Sequence, residues 1–335
     1  MSAVTVEKMF AYREAIDSEL MEHPAVQVWL QMDPKYTIPK RIENIRLWSS
    51  PKPFICRMLG AGKDGFPVIA KRCKAPAGKI ERQIYEEILP RLSLPKLEYY
   101  GSFPDGDDFL WIFLEDAGGR QFSFHKPGDR RIAVQWLADL HTSSSYMGKP
   151  ENLIERDPAY YFRRLAGAQE KFYAHLNDDV FCKTDRKVMA ASLDQIGFCT
   201  ASWEKVRALY YQLPRCMVHG DFKSKNIHLR GAAHAASVAV FDWEYAGWGS
   251  PGIDMWRLDE AEYRNAVSRR WPHCGADTVR QLKHLGKLFR AIDSYFWEVS
   301  GLEHARHAHI RQKLIESLPE YDFYIADAMR GLKIW

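Results

Sequence analysis

Three oxygen-bearing side chains at set spacing dominate this chain. His219-Gly220-Asp221-Phe222-Lys223-Ser224-Lys225-Asn226 puts an Asn five residues after an Asp, and Asp242 follows sixteen residues later in Val240-Phe241-Asp242-Trp243-Glu244. Phosphoryl transfer from a Mg-nucleotide needs such a set: one carboxylate to orient a hydroxyl, and oxygen ligands to hold Mg2+ against the phosphates. Asp221 is the candidate catalytic residue; Asn226 and Asp242 are the candidate metal ligands. The segments around them should bring them together. Cys216-Met217-Val218 is a short apolar run, Asn226 to Arg230 alternates as a strand does, and Val238 to Phe241 is a second strand after a small-residue turn. Pairing 230 with 238 places 226 opposite 242, with Cα atoms roughly 4.5–5.5 Å apart.

The same stretch resembles the aminoglycoside phosphotransferase and choline kinase superfamily, whose hallmark is His-Gly-Asp-x-x-x-x-Asn followed by Asp-Trp-Glu or a close variant. It is similar to the protein-kinase catalytic loop with Gly220 in place of Arg. The resemblance covers about 45–260 and is most specific over 216–254. It implies an α+β, protein-kinase-like two-lobed fold, with a small antiparallel β-sheet N-lobe and a mainly helical C-lobe. It also implies use of ATP with Mg2+. Lys223 stands where many protein kinases direct a Lys at the transferred phosphate. His219 is expected to brace the loop, Glu244 to lie at the surface, and Asp254 to cap the next helix or tie the loop down.

Upstream, Pro67-Val68-Ile69-Ala70-Lys71 is similar to the kinase strand whose Lys grips nucleotide phosphates; Lys74 competes for that role. After a Gly/Pro loop, Ile80 to Leu89 reads as a helix with Ile80, Ile84 and Ile88 on one stripe. The family pattern makes Glu81 the partner of Lys71, with Glu86 and Glu87 as fallbacks. Phe109 to Leu114 is an apolar strand running into an acidic, Gly-containing connector. In the superfamily this is the hinge, where backbone groups at Phe113, Leu114 and Glu115 meet the adenine edge.

Gly60-Ala61-Gly62-Lys63-Asp64-Gly65 matches G-x-G-x-x-G, but a β-like run ending in Lys71 follows at once, so no dinucleotide-binding helix opens there. The segment reads as a reverse turn between a strand over 53–59 and the one bearing Lys71. Ile45 to Trp48 is then the first strand, and Ser49 to Pro53 the cover over the phosphates.

With 335 residues the chain suits two packed lobes. The expected organisation is an N-terminal helical extension over 1–40, an N-lobe over 41–115 and a C-lobe over 116–335. Helices are expected over 131–143, from Pro158 to about 175, over 187–213, 255–271, 278–300 and 303–318. A formal charge of +4 is too small and scattered to call for nucleic acid. Six cysteines without close pairs or metal spacing fit a reducing cytoplasm, and no apolar run is long enough for a membrane span.

The resemblance implies a small-molecule hydroxyl as acceptor: an aminoglycoside-like antibiotic, amino sugar, cyclitol or other hydroxylated metabolite. Acidic and basic residues balance beyond 257, which leaves less charged ring compounds beside an aminoglycoside. Two competing readings are a protein Ser/Thr kinase and a pseudokinase. The first lacks Asp-Phe-Gly and Ala-Pro-Glu landmarks; the second predicts loss of a metal or phosphate residue, and none is lost. Neither ATP against GTP nor the oligomeric state follows from the sequence.

Overall fold

A computed structural model describes residues 13–45, 54–231 and 236–334. By contact the chain forms two compact units. One joins the described residues up to Ile132 with Asp221–Ala246; the other joins Ala133–Gly220 with the residues from Gly247 onward. The segment Asp221–Ala246, expected with the helical segment 116–335, thus groups with the sheet.

The first unit is built on a six-stranded antiparallel sheet. Its strands are β1 (Arg13–Ile16), β2 (Arg41–Ile45), β3 (Phe54–Leu59), β4 (Val68–Lys74), β5 (Tyr99–Asp105) and β6 (Phe109–Glu115), in the order β1-β2-β3-β4-β6-β5. Alternation along β4 decides what covers each face. Val68 and Ala70 pack with Cys56, Met58 and Phe113 under Ala25, Val26 and Trp29 of helix α1 (Pro24–Met32). Lys71 and Cys73 point the other way, toward helix α2 (Ala75–Gln83). A Cβ at Gly78 of α2 would stand 2.9 Å from Cys73 Sγ and 3.0 Å from Leu110, so only glycine lets this helix lie so close.

Several expectations change here. Among the described residues, the helical pattern expected over 1–40 survives in α1 and a short 3-10 turn at Leu20–Glu22, because Arg13–Ile16 pairs with β2 as an edge strand; Phe10 lies outside the described residues. The strand expected to open at Ile45 is β2 and begins at Arg41, and 46–53, including the expected phosphate cover, lies outside the described residues. The expected loop at 75–79 is helix: Pro76 falls in the first turn, where its missing N–H costs nothing. Lys63-Asp64-Gly65 is the expected tight turn, with Asp64 at φ 53° and Gly65 at φ 77°.

A second sheet in this unit runs β11 (Ser237–Val240), β10 (Ile227–Arg230) and β7 (Arg120–Gln121). Arg230 faces Ser237 and Ile227 faces Val240, one residue off the expected register. The reason is local. Asn226 closes a 3-10 turn, Ser224–Asn226, and does not open the strand, so its carbonyl receives the Phe241 N–H at 3.2 Å.

The second unit holds a small sheet, β8 (Glu155–Arg156), β12 (Gly247–Gly249) and β9 (Cys216–Val218). Its helices are α3 (Pro127–Met147, which starts in the first unit), α4 (Pro158–His175), α5 (Lys183–Ala201), α6 (Trp203–Gln212), α7 (Glu260–Val267), α8 (Ala276–Val299) and α9 (Ala308–Gly331). Asp157 caps α4, and Pro158 stands at its start as expected. The single helix expected over 187–213 is two, broken where Ser202 leaves helical geometry and Trp203 turns its indole N–H to the Pro158 carbonyl. Met255–Trp271 shrinks to α7, because Asp259 caps a new start by accepting from Ala261 and Glu262 N–H. The last helix runs straight through Pro319 to Gly331; burial of Leu314, Leu318, Ile325, Ala328 and Met329 outweighs the lost backbone bond.

One contact in this unit has no side chain in it. Gly252, in the 3-10 turn Pro251–Asp254, meets Leu282 and Gly286 of α8 backbone to backbone; a Cβ at Gly252 would lie 1.7 Å from the Leu282 carbonyl oxygen, and one at Gly286 1.9 Å from that of Gly252. Gly286→Ala must push turn and helix apart and should lose at least about 1–3 kcal/mol, the usual range for overpacking. Urea unfolding checks this; an unchanged midpoint would contradict the close approach.

Candidate active site

Lys71 is buried in the middle of β4, where a bare ammonium would be too costly to keep charged. It is not bare. Nζ lies 2.9 Å from Glu81 Oε2 on α2 and 2.5 Å from Asp242 Oδ1. Burial alone would lower its pKa, but Glu81, Asp242 and Glu244 outweigh that and hold it well above the ordinary lysine value. Glu81, not Glu86 or Glu87, is therefore the partner: Glu86 instead accepts from the Tyr99 hydroxyl, and Glu87 from the Gln83 amide. Lys74 ends the strand exposed.

Asp242 follows β11 with φ at 68°, a left-handed conformation that non-glycine residues seldom adopt. The turn aims its carboxylate at Lys71. Asn226 donates from Nδ2 to the Asp221 backbone oxygen at 3.0 Å and to Asp221 Oδ2 at 3.1 Å, which leaves its own Oδ1 outside these bonds. Lys223 Nζ lies 2.6 Å from Asp221 Oδ1, and Lys225 Nζ lies 3.3 Å from Asp221 Oδ2. The structure thus gathers Asp221 with Lys223 and Asn226, and Asp242 with Lys71 and Glu81. Glu244 is half-buried beside these acids rather than at the surface. Burial first, and then Asp242, raises its carboxyl pKa.

Asp254 ties down the residues that precede Asp221 in the chain. Fully buried, its carboxylate accepts from the backbone N–H of His219 at 2.6 Å and of Gly220 at 2.9 Å, with His141 Nε2 at 3.3 Å. Burial would raise its pKa, but His141 and the His219 N–H prevail and hold it below the ordinary carboxylate value. Gly220 sits at φ 79°, in the left-handed region that favours glycine over the Arg of protein kinases.

The expected hinge needs a correction at two of its three residues. Phe113 and Leu114 lie inside β6 with a strand on either side, so their backbone groups serve the sheet. Glu115 ends β6, paired with Val68 of β4 alone, and its N–H donates to the Glu98 carbonyl at 2.8 Å. The connector after them is strapped by Arg230 of β10, which ion-pairs with Glu115 at 2.9 Å and donates to the carbonyls of Asp116 and Ala117, while His228 Nδ1 lies 2.7 Å from the Gly118 oxygen. Neither residue was singled out from the sequence, although alternation along 227–230 shows that 228 and 230 share the face opposite the buried Ile227 and Leu229.

The donor chemistry suits a hard divalent cation. Asn226 offers an amide oxygen and Asp242 a carboxylate, and among the described residues no three His, Cys, Asp or Glu side chains form a cage of their own. Mg2+ is usually bound this way, by one or two protein oxygens completed by substrate phosphates.

The model of the phosphotransferase enzyme family matches residues 69–288, more than half of the chain. The chain belongs to this family. It is a phosphotransferase. No curated protein matches it in sequence. Among solved structures it is similar to the GDP and kanamycin complex of APH(2")-IIia, with a TM-score of 0.61, 15% identity, and coverage of 88% of this chain and 97% of that one. It also resembles choline kinase from Cryptosporidium parvum Iowa II (TM-score 0.60, 10% identity, 92% of this chain and 94% of that one). A microcompartment-associated aminopropanol kinase gives a TM-score of 0.59 at 11% identity, covering 92% of this chain and all 100% of the other. At such identities the likeness shows the fold, which is protein-kinase-like.

Asp254→Asn should destabilise the protein by about 3–5 kcal/mol at neutral pH, as expected when one partner of a buried polar pair is lost. The Asp254 pKa is depressed on folding, so its contribution is present above the unfolded value near 4 and is lost as pH falls through the folded one. The gap between variant and wild type in denaturant midpoint should therefore narrow below about pH 4. A gap independent of pH would argue against a carboxylate anchor.

Proposed function

We propose that the protein moves the γ-phosphoryl group of ATP to a hydroxyl of a small molecule, with Mg2+. The observation that carries this reading is the ion pair of Lys71 with Glu81 and Asp242, set in one unit with the Asp221–Asn226 hydrogen bond. Asp221 accepts or orients the acceptor's hydroxyl proton as the new O–P bond forms and the bond to the β-phosphate oxygen breaks. Lys71, kept charged by its two acids, holds phosphate oxygens. Lys223, half exposed beside Asp221, offers its ammonium to the oxygens of the phosphoryl group as that group passes to the acceptor hydroxyl. Asn226 Oδ1 and the Asp242 carboxylate would hold Mg2+, which when bound neutralises charge on the phosphates. The base edge is assigned to the connector after Glu115, since the strand backbone before it is used by the sheet.

Acceptors of the class are an aminoglycoside-like antibiotic, amino sugar, cyclitol or other hydroxylated metabolite. No helix among the described residues is long and apolar enough to cross a membrane. The six cysteines are free thiols, which supports a cytoplasmic location.

Asp221→Ala should lower kcat by about 10²–10⁴ with a confirmed acceptor while Mg-ATP binding persists; turnover equal to wild type would remove Asp221 from the chemistry. Lys71→Met should weaken Mg-ATP binding, read as loss of the nucleotide-induced rise in Tm. A Mg-ATP shift like that of wild type would leave Lys71 without its assigned role.

A further inference from the structure

The charge around Asp221 bears on which small molecule is phosphorylated, an inference that rests on Asp221 receiving the acceptor hydroxyl. Both carboxylate oxygens of Asp221 carry an ammonium: Lys223 at 2.6 Å on Oδ1 and Lys225 at 3.3 Å on Oδ2. Asp221 itself is only 9% exposed, whereas the two lysines are 52% and 47% exposed. Ion pairs made by such exposed lysines contribute little to stability, at most about 1 kcal/mol. Their presence is therefore not explained by folding.

An acceptor hydroxyl that reaches Asp221 must bring its neighbouring atoms against these two ammonium groups. A cation one or two bonds from the hydroxyl would meet like charge; a carboxylate or phosphate would be drawn in. Asp221 itself offsets one of the two positive charges and leaves the other. Of the further acids, Glu81 and Asp242 are engaged by Lys71, and Glu244, which also feels Lys225, is half-buried beside them. Lys223 is assigned to the transferred phosphoryl group. Lys225, two residues further on in the 3-10 turn, is left to the acceptor.

We propose that Lys225 selects an acceptor bearing a negative group close to the hydroxyl that is phosphorylated, a hydroxylated carboxylate or a phosphate monoester, rather than a polycationic aminoglycoside or an amino alcohol. The test is a comparison of kcat/KM across four sets of hydroxyl compounds: hydroxycarboxylates, sugar phosphates, neutral polyols and amino alcohols including aminoglycosides. Wild type, Lys225→Gln and Lys225→Glu are measured beside each other, with Mg-ATP binding followed independently by thermal shift. Wild type should favour one of the anionic sets, and the preferred one tells carboxylate from phosphate. Lys225→Glu should lower the ratio of anionic to cationic kcat/KM by roughly 10- to 100-fold, chiefly through the acceptor KM. Lys225→Gln should fall between, with an acceptor KM less sensitive to salt. Highest activity on amino alcohols or aminoglycosides, or one ratio shared by the three proteins, overturns the proposal while leaving the phosphotransferase reading intact. A protein that shows no Mg-ATP shift and no turnover on any set overturns both.

Discussion

A single buried ammonium organises the first unit. Lys71 can remain charged in the middle of a sheet only because Glu81 reaches it from α2 and Asp242 from the turn after β11. Removing either acid leaves charge uncompensated in a low-dielectric setting, which costs far more than the pair itself contributes. The requirement runs back into structure. It needs Gly78 for the close approach of α2, and a backbone at Asp242 twisted to φ 68°. Strain of this kind persists where surrounding contacts over-determine it, and it concentrates at sites that do chemistry.

In each unit a side chain fixes a loop by hydrogen bonds to its backbone. Asp254 holds two consecutive N–H groups, and Arg230 spans the connector beyond β6. Both devices fix chain segments whose sequences are loops, without secondary structure of their own. Loops that carry function need such external anchors, because nothing in their own hydrogen bonding determines one conformation.

Much of this was legible in the chain itself. The Asp221, Asn226 and Asp242 spacing and the Lys71 strand follow from residue type and order, the partnership with Glu81 from the family pattern, and tying the loop down was one of two roles expected of Asp254. The register around Asn226 was not, because a 3-10 turn and the first residue of a strand look alike in an alternating pattern. The break at Ser202 and the passage through Pro319 depend on what neighbouring helices bury, which no local pattern carries. Glu244 looked exposed because its burial comes from residues far away in sequence, and the hinge backbone looked available because the strand on its far side, β5, was not part of the reading. Lys225 stood in plain view, but its chemistry appears only once its ammonium is seen against Asp221.

The seam between Gly252 and Gly286 has a mechanical consequence. Where two backbones touch with no side chains between them, there are no rotamers to yield, so neither sliding by a residue nor rolling about the helix axis is available without collision. The α8 helix and the turn bearing Asp254 must therefore travel as one rigid body, and any ligand that displaced this long helix would tug on the amides of His219 and Gly220 through a linkage that has no slack.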